Sequence, residues 1–176
     1  MVPLVPPTLS DGTIAVRPLR ESDIPAIVAA CQDPEIPRWT RVPSPYTVED
    51  ARSFLAIAAL EASSGEGCAL AVADARDRLV GTVGLMGIEG TRGEIGYWIA
   101  KEARRQGAAT RAVILLRDWA HATLGLTTID LRPHRDNVPS QRVAVGAGFT
   151  DTGETARVPF MPAGRQEGFM VFRWTA

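Results

Sequence analysis

The sequence is poor in several residue types on which large classes of proteins depend. Its 176 residues include only two cysteines, two histidines and two tyrosines, and Lys101 is the only lysine. Cys31 and Cys68 lie in apolar surroundings and lack the spacing of metal ligands. We therefore expect two buried free thiols in a reducing cytoplasm and no metal site.

A strong charge and a long apolar run are missing as well. The net charge of −1 does not suit a general binder of nucleic acid or of a membrane surface. No apolar run approaches the roughly 18 residues of a spanning helix, and the N-terminal MVPLVPPTLSDGT has three prolines and no basic segment, unlike a secretory signal. We interpret 1–176 as one domain that begins with an extended arm over 1–12.

Hydrophobic periodicity and turn residues predict that this domain is α/β. The predicted strands cover 13–19, 68–74, 78–88, 93–100, 127–133, 149–157 and 167–174. The predicted helices begin near Ser22, span about 48–62, run from Gly107 to Gly125, and run from Asn137 to Gly148. Residues 34–46 contain four prolines, and we expect no regular structure there.

The segment KEARRQGAAT (101–110) begins a helix in an unusual way. It has no Ser, Thr, Asp or Asn cap, and Lys101, Arg104, Arg105 and Arg111 crowd the first turn. The start of a helix already carries unpaired N–H groups and partial positive charge. One interpretation is therefore a site for a phosphate or pyrophosphate, which would replace the cap. The alternative is a core helix whose first turn happens to be basic.

Two common phosphate-binding motifs fit this segment poorly. No Gly-Lys-Ser/Thr follows a first glycine, so the Walker pattern is absent. A dinucleotide fingerprint requires glycines where Ala109 and Thr110 stand, and Asp130 lies inside its predicted strand rather than at the end. Neither motif explains the basic helix start.

The segment does resemble the signature of a known family. Residues 104–109 (RRQGAA) fit the Q/R-x-x-G-x-G/A signature of the GCN5-related N-acetyltransferases (GNAT). The longer EIGYWIAKEARRQGAATRA is similar to the branch that acetylates ribosomal-protein N-termini, the RimJ/RimL type. At family spacing, Asn137 and Ser140 follow as N-x-x-S, and 146–149 follow as G-x-G-F. The resemblance covers nearly the whole chain.

This resemblance implies a fold and a co-substrate. The GNAT fold is a mixed, mostly antiparallel sheet of six to seven strands with a central splayed parallel pair, flanked by about four helices. The co-substrate is acetyl-CoA, without a metal. The residues expected to bind it are Tyr97, Trp98, Ile99, Arg104, Arg105, Gln106, Gly107, Ala108, Ala109, Thr110 and Asn137.

The resemblance also implies catalytic roles. Many relatives carry a tyrosine acid where this chain has Ala144, whereas in the RimJ/RimL branch the acid is a serine at the position of Ser140. Glu94 stands where relatives often place a base, with Glu154 as the second candidate. The alternatives are that Ser140 is only a polar helix residue and that Glu94 is a solvated carboxylate at a strand end.

The acceptor amine is expected between the segments 34–46 and 157–167. The acceptor-binding candidates there are Arg38, Trp39, Tyr46 and Phe160, and the same segments carry Arg41, Arg157, Met161 and Arg165. Aromatic walls and guanidinium groups suit an acceptor that bears a carboxylate. The alternative is that these are ordinary loop residues.

Together these features predict a cytoplasmic N-acetyltransferase. It would transfer an acetyl group from acetyl-CoA to a peptide N-terminus or a small amine, directly and in a ternary complex, as a monomer or homodimer. Nucleic acid and membrane partners are not expected. The alternatives are a CoA-binding sensor with little turnover and a transferase that uses another acyl-CoA such as succinyl-CoA.

Overall fold

The computed structural model of the protein describes residues 3–159, 161 and 164–176. These residues form eight β-strands and five α-helices. The strands are β1 (Leu9–Ser10), β2 (Ala15–Pro18), β3 (Cys68–Ala73), β4 (Leu79–Glu89), β5 (Arg92–Ile99), β6 (Thr128–Leu131), β7 (Thr150–Ala156) and β8 (Phe169–Thr175). The helices are α1 (Ile24–Ala30), α2 (Glu35–Trp39), α3 (Val48–Ser64), α4 (Ala108–Leu124) and α5 (Val138–Gly146).

The strands form one sheet in the order β1-β2-β3-β4-β5-β6-β8-β7. Only the β5–β6 pair is parallel among the described strands. The predicted fold class is therefore confirmed. The sheet has one strand more than the expected six to seven, because the N-terminal arm pairs Leu9 and Ser10 with Val16 and Ala15.

The expectation of no regular structure over 34–46 is wrong for one short part. Glu35–Trp39 is helical although Pro34 precedes it and Pro37 lies within it. Pro34 occupies the N-cap position and Pro37 lies in the first turn, where a missing N–H removes no helical hydrogen bond. The helix also receives support at its start, since Asp33 Oδ1 accepts a hydrogen bond from the Glu35 N–H at 3.2 Å.

Apolar residues pack on both faces of the sheet. On one face Ile95 of β5 joins a core that contains Leu116 of α4, and Tyr97 packs against that core. On the other face Trp98 joins a second core with Ile27 of α1. Because neighbouring side chains of a strand point to opposite faces, Glu94 lies on the same face as Trp98. The central strand thus presents different chemistry to its two sides.

Candidate active site

The parallel pair at the centre of the sheet separates part-way along its length. β5 and β6 pair only from Arg92↔Thr128 to Glu94↔Asp130, whereas β5 continues along β4 as far as Ile99. Over 95–99, no described strand pairs with the side of β5 that faces β6. The predicted residues Tyr97, Trp98 and Ile99 lie along this open edge, which can pair with an extended ligand as an added strand would.

The chain between β5 and α4 turns sharply before the helix. A 3-10 turn covers Lys101–Ala103, and the exposed Arg105 has a φ of 62°. Gly107 takes the N-cap position of α4 with a φ of 80°, and no side chain of the described residues caps the helix there. Residues 108–110 form the bare first turn, while the exposed Gln106 donates to the carbonyl of the preceding 3-10 turn. The backbone N–H groups at this end therefore remain available for an anion.

Two of the basic side chains near this turn already have partners. Arg104 donates from Nε to the carbonyl of Ile99 at 2.9 Å, and its Nη2 lies 2.7 Å from Asp33. Arg111 donates to Asp11 at 2.7 Å, which lowers the pKa of that carboxyl to about 2. Contact of Arg104 with phosphate stays a prediction, and the partners it has here hold the turn in place.

A hydrogen bond joins the open edge of β5 to the start of α5. The Tyr97 hydroxyl donates to Ser140 Oγ at 2.9 Å. Asn137 caps α5 by accepting from the Ser140 N–H at 3.2 Å, so one predicted residue positions another. Burial raises the pKa of Tyr97 to about 12, so the phenol is protonated near neutral pH. Ala144, where relatives carry a tyrosine, is fully buried in the core.

Glu94 lies on the opposite face of β5 from this hydrogen bond, beside charged neighbours. Its Oε2 is 3.2 Å from Nη1 of Arg132. Burial is the main cause that raises the pKa of the Glu94 carboxyl above its ordinary value. The positive charges of Arg132 and Arg41 lower this pKa in part, and the negative charge of Asp130 raises it further. The Nε of Arg132 is buried and has no hydrogen-bond partner among the described residues. A half-buried carboxylate with a raised pKa suits a general base.

A cleft of about 890 Å³ opens between α2 and the segment before β8. The predicted residues Arg38 and Trp39 line it, and Arg165 bridges its two walls by donating to the Arg38 carbonyl at 3.1 Å. Aromatic rings line it, and the His134 ring lies 5.6 Å from Trp39 and 5.4 Å from Phe169. The two segments expected to hold the acceptor therefore do meet around one cavity.

Two predicted acceptor residues do not contribute to this description. Tyr46 is only 7% exposed, packs in the second core, and is not among the described residues that line the cleft. Phe160 lies outside the described residues. His134, which also lines the cleft, was not among the residues predicted to bind the acceptor. Its position just beyond β6, at the open end of the splayed pair, was the signal that pointed to the cleft.

Comparison with known proteins identifies the family. The model of the acetyltransferase (GNAT) domain matches residues 13–150. This chain belongs to the GNAT acetyltransferase family. A relative, the uncharacterised N-acetyltransferase YoaA of Bacillus subtilis, is 27% identical over 151 residues, which cover 84% of this chain and 85% of that protein. The prediction of an N-acetyltransferase is thereby confirmed.

Solved structures share the fold over almost the whole chain. Mycobacterium smegmatis RimJ, in complex with CoA-disulfide, has a TM-score of 0.86 at 20% identity and covers 100% of this chain and 90% of its own. Spermidine N-acetyltransferase from Vibrio cholerae, in complex with CoA and spermine, has a TM-score of 0.78 at 18% identity, with 94% and 96% covered. The GNAT fold thus extends beyond the residues that the family model matches.

Two further kinds of feature are absent from the described part of the chain. None of its helices has both the length and the apolar character needed to cross a bilayer. It also contains no group of three or more His, Cys, Asp or Glu side chains placed to hold a metal ion.

Proposed function

We propose that this GNAT protein is a single-domain cytoplasmic enzyme that transfers an acetyl group from acetyl-CoA to a primary amine, with both substrates bound at once. The observation that carries the proposal is the bare start of α4 at Gly107, placed where the open edge of β5 ends. An extended arm with a pyrophosphate at one end matches this combination of a strand edge and an uncapped helix.

The chain's own residues have separate roles in this proposal. The open edge over 95–99 pairs with the pantetheine arm, and the N–H groups of 108–110 hold the pyrophosphate. Acetyl-CoA supplies an acyl group activated as a thioester. Ser140 provides the proton donor for the departing sulfur, and Asn137 holds Ser140 at the first turn of α5.

The base is proposed on the other face of the sheet. Glu94 lies there with Arg41 of the segment after α2 close enough to affect its pKa. The amine therefore approaches from the side of α2, while the donor lies on the side of α4 and α5. The gap between β5 and β6 connects the two faces of the sheet, so the amine and the thioester can meet there. This arrangement fits direct transfer in a ternary complex.

The acceptor-binding cleft has a balanced charge. Arg38, Arg135 and Arg165 line it together with Glu35, Asp136 and Glu167, and Arg38 pairs with Glu35 at 3.1 Å. The repulsion of polycations that the arginines alone would cause is therefore partly offset. We propose an amino acid or a short peptide with a free N-terminus as acceptor, because an amine beside a carboxylate matches both signs of charge.

The test is acetyl-CoA-dependent release of free thiol with a matched panel of acceptors at low salt. We expect kcat/KM for peptides and amino acids to be several-fold higher than for spermidine. This ratio corresponds to a free-energy difference of about RT, which is typical of exposed charges. Replacement of Arg165 by Gln should reduce the ratio of kcat/KM between peptides and spermidine. Arg52→Gln, which breaks an exposed ion pair with Glu49 on α3, should leave that ratio unchanged. A polyamine as the best acceptor contradicts the peptide assignment.

Two observations favour a second function, a CoA-binding sensor. Glu94 is already paired with Arg132, and the position of the usual tyrosine is filled by the buried Ala144. In that case CoA raises the melting temperature while no acceptor in the panel produces free thiol. Donors such as succinyl-CoA are included in the same panel, since acyl choice depends on the cleft rather than on the CoA site.

A further inference from the structure

The contact between Tyr97 and Ser140 joins two segments that are 43 residues apart in sequence. Tyr97 lies on the part of β5 that has separated from β6, and Ser140 lies in the first turn of α5. The two hydroxyls therefore meet at the wall of the opening in the sheet. The role proposed for Ser140 does not by itself require a second hydroxyl there.

The 2.9 Å distance lets either hydroxyl donate, and with the Tyr97 phenol as the donor the Ser140 proton has a defined direction. A serine hydroxyl has one proton and two lone pairs. The phenol of Tyr97 donates into one lone pair at 2.9 Å. Among the described residues, Ser140 Oγ donates to no acceptor. With Tyr97 as the donor, the Ser140 proton is directed away from the phenol and is available to a ligand in the opening.

We propose that Tyr97 is a positioning residue for acyl transfer: its phenol orients the Ser140 hydroxyl so that the serine donates a hydrogen bond to the sulfur of the thioester. This inference rests on the proposed function. As the amine attacks the carbonyl carbon, a C–N bond forms and the amine proton passes to the proposed base, Glu94. The C–S bond breaks and its electron pair goes to sulfur, where a hydrogen bond from Ser140 stabilises the developing charge. Hydrogen bonds in a chain polarise one another, so the phenol also strengthens the donor it orients.

Burial keeps this arrangement in one protonation state. The pKa of Tyr97, raised to about 12, leaves the phenol as a donor at every pH at which the enzyme is expected to work. The Asn137 cap holds the serine backbone by a separate bond at 3.2 Å. Loss of the Tyr97 hydroxyl therefore removes the orientation of Ser140 Oγ while the helix that carries it stays in place.

The test compares Tyr97→Phe, Ser140→Ala and the double variant in the full chain. Tyr97→Phe should lower kcat about 10-fold, the factor that one orienting hydrogen bond supplies, and leave the KM for acetyl-CoA unchanged. In the Ser140→Ala background it should have no further effect. In a Ser140→Thr background, which retains a hydroxyl, it should again lower kcat. A matched control is Thr152→Val, which removes a half-buried hydroxyl bonded to the Val171 carbonyl at 2.9 Å and should leave kcat unchanged.

A second measurement does not depend on turnover. The thiol of bound CoA is titrated by the ultraviolet absorbance of its thiolate in each variant. A hydrogen-bond donor at the sulfur lowers the thiol pKa, so Tyr97→Phe and Ser140→Ala should both raise it relative to the parent, and Thr152→Val should not. If the parent chain turns over no amine, the proposed function fails while this titration still decides the role of Tyr97. Wild-type kcat in Tyr97→Phe, additive effects in the double variant, or an unchanged thiol pKa overturns the inference.

Discussion

Helices α3 and α4 have the same length and opposite kinds of N-terminus. Each has 17 residues and each ends on a left-handed glycine, Gly65 in α3 and Gly125 in α4. At the start of α3, Thr47 and Asp50 cap each other reciprocally: the Asp50 N–H donates to Thr47 Oγ1 at 3.2 Å and the Thr47 N–H donates to Asp50 at 2.8 Å. At the start of α4, Gly107 offers no side chain at all.

The difference shows which helix start is structural and which is open to a ligand. A capped start satisfies its own N–H groups and needs nothing else. A bare start leaves those groups and the helix dipole to be satisfied by an anion or by water. Helix α5 is intermediate, because Asn137 caps it and the cap also holds Ser140, the residue proposed to face the sulfur.

The largest expected effect is at the start of α5. Ser140→Ala should lower kcat by about 10²-fold or more, the effect of removing one donor to a charge that develops in the transition state, with the KM for acetyl-CoA nearly unchanged. Steady-state kinetics measure both constants. Ser64→Ala at the end of α3, which removes a half-buried hydroxyl bonded to the Glu61 carbonyl, is the control. Unchanged turnover in Ser140→Ala would show that this serine is only a polar residue of the helix.

A comparable effect is expected on the other face of the sheet. Glu94→Gln should lower kcat by about 10²-fold as a lost base and flatten the acidic limb of the pH–rate profile. Arg132→Gln removes a charge that lowers the pKa of Glu94, so the carboxylate should protonate at higher pH. The acidic limb should therefore move to higher pH, as measured by kcat against pH.

The matched control for this shift is Arg78→Gln, which breaks an exposed ion pair with Asp74 at the β3–β4 turn. It should leave the limb in place. If Arg132→Gln moves the limb to lower pH or not at all, Glu94 is not the group that titrates in catalysis.

A smaller effect is expected when the start of α3 is made as bare as that of α4. Thr47→Ala should lower the free energy of unfolding by about 1 kcal/mol, as measured by denaturant titration, while Thr47→Ser should preserve it. The stabilisation by CoA should be the same in all three proteins. An effect of Thr47→Ala on CoA binding itself would show that the two helix starts are not independent.

Local sequence signals predicted most of the helices and strands, but two short elements were missed. The glycines at 107 and 125 marked the ends of α4 because helix termination depends on a few adjacent residues. The short helix α2 was not predicted, because proline counts as a helix breaker unless its place in the first turn is known. The pairing of Leu9 with Val16 in β1 was missed because two residues show no periodicity.

The candidate site residues that belong to a local sequence motif could be predicted. The contacts between residues from distant segments could not. The segment 104–110 was predicted to bind phosphate from its glycine and basic residues, and this role stays a prediction. By contrast, the bond from Tyr97 to Ser140 and the pair of Glu94 with Arg132 depend on which strands and helices become neighbours. Tyr46 was expected to line the acceptor cleft and is buried in the core instead, since a sequence does not show which side of a loop faces inwards.

Thermal unfolding with and without CoA, compared between variants at the two ends of α4, tests most directly whether the start of this helix binds the cofactor. Gly107→Asp and Gly125→Asp place the same side chain on glycines with φ of 80° and 70°, so both bear similar backbone strain. Saturation with CoA at 100 times its Kd should add about 2.7 kcal/mol to the stability of the parent and of Gly125→Asp. Gly107→Asp should abolish that increment, because its carboxylate occupies the bare N–H groups and repels phosphate. An equal CoA-induced shift in both variants would contradict the claim that the open start of α4 is the cofactor site.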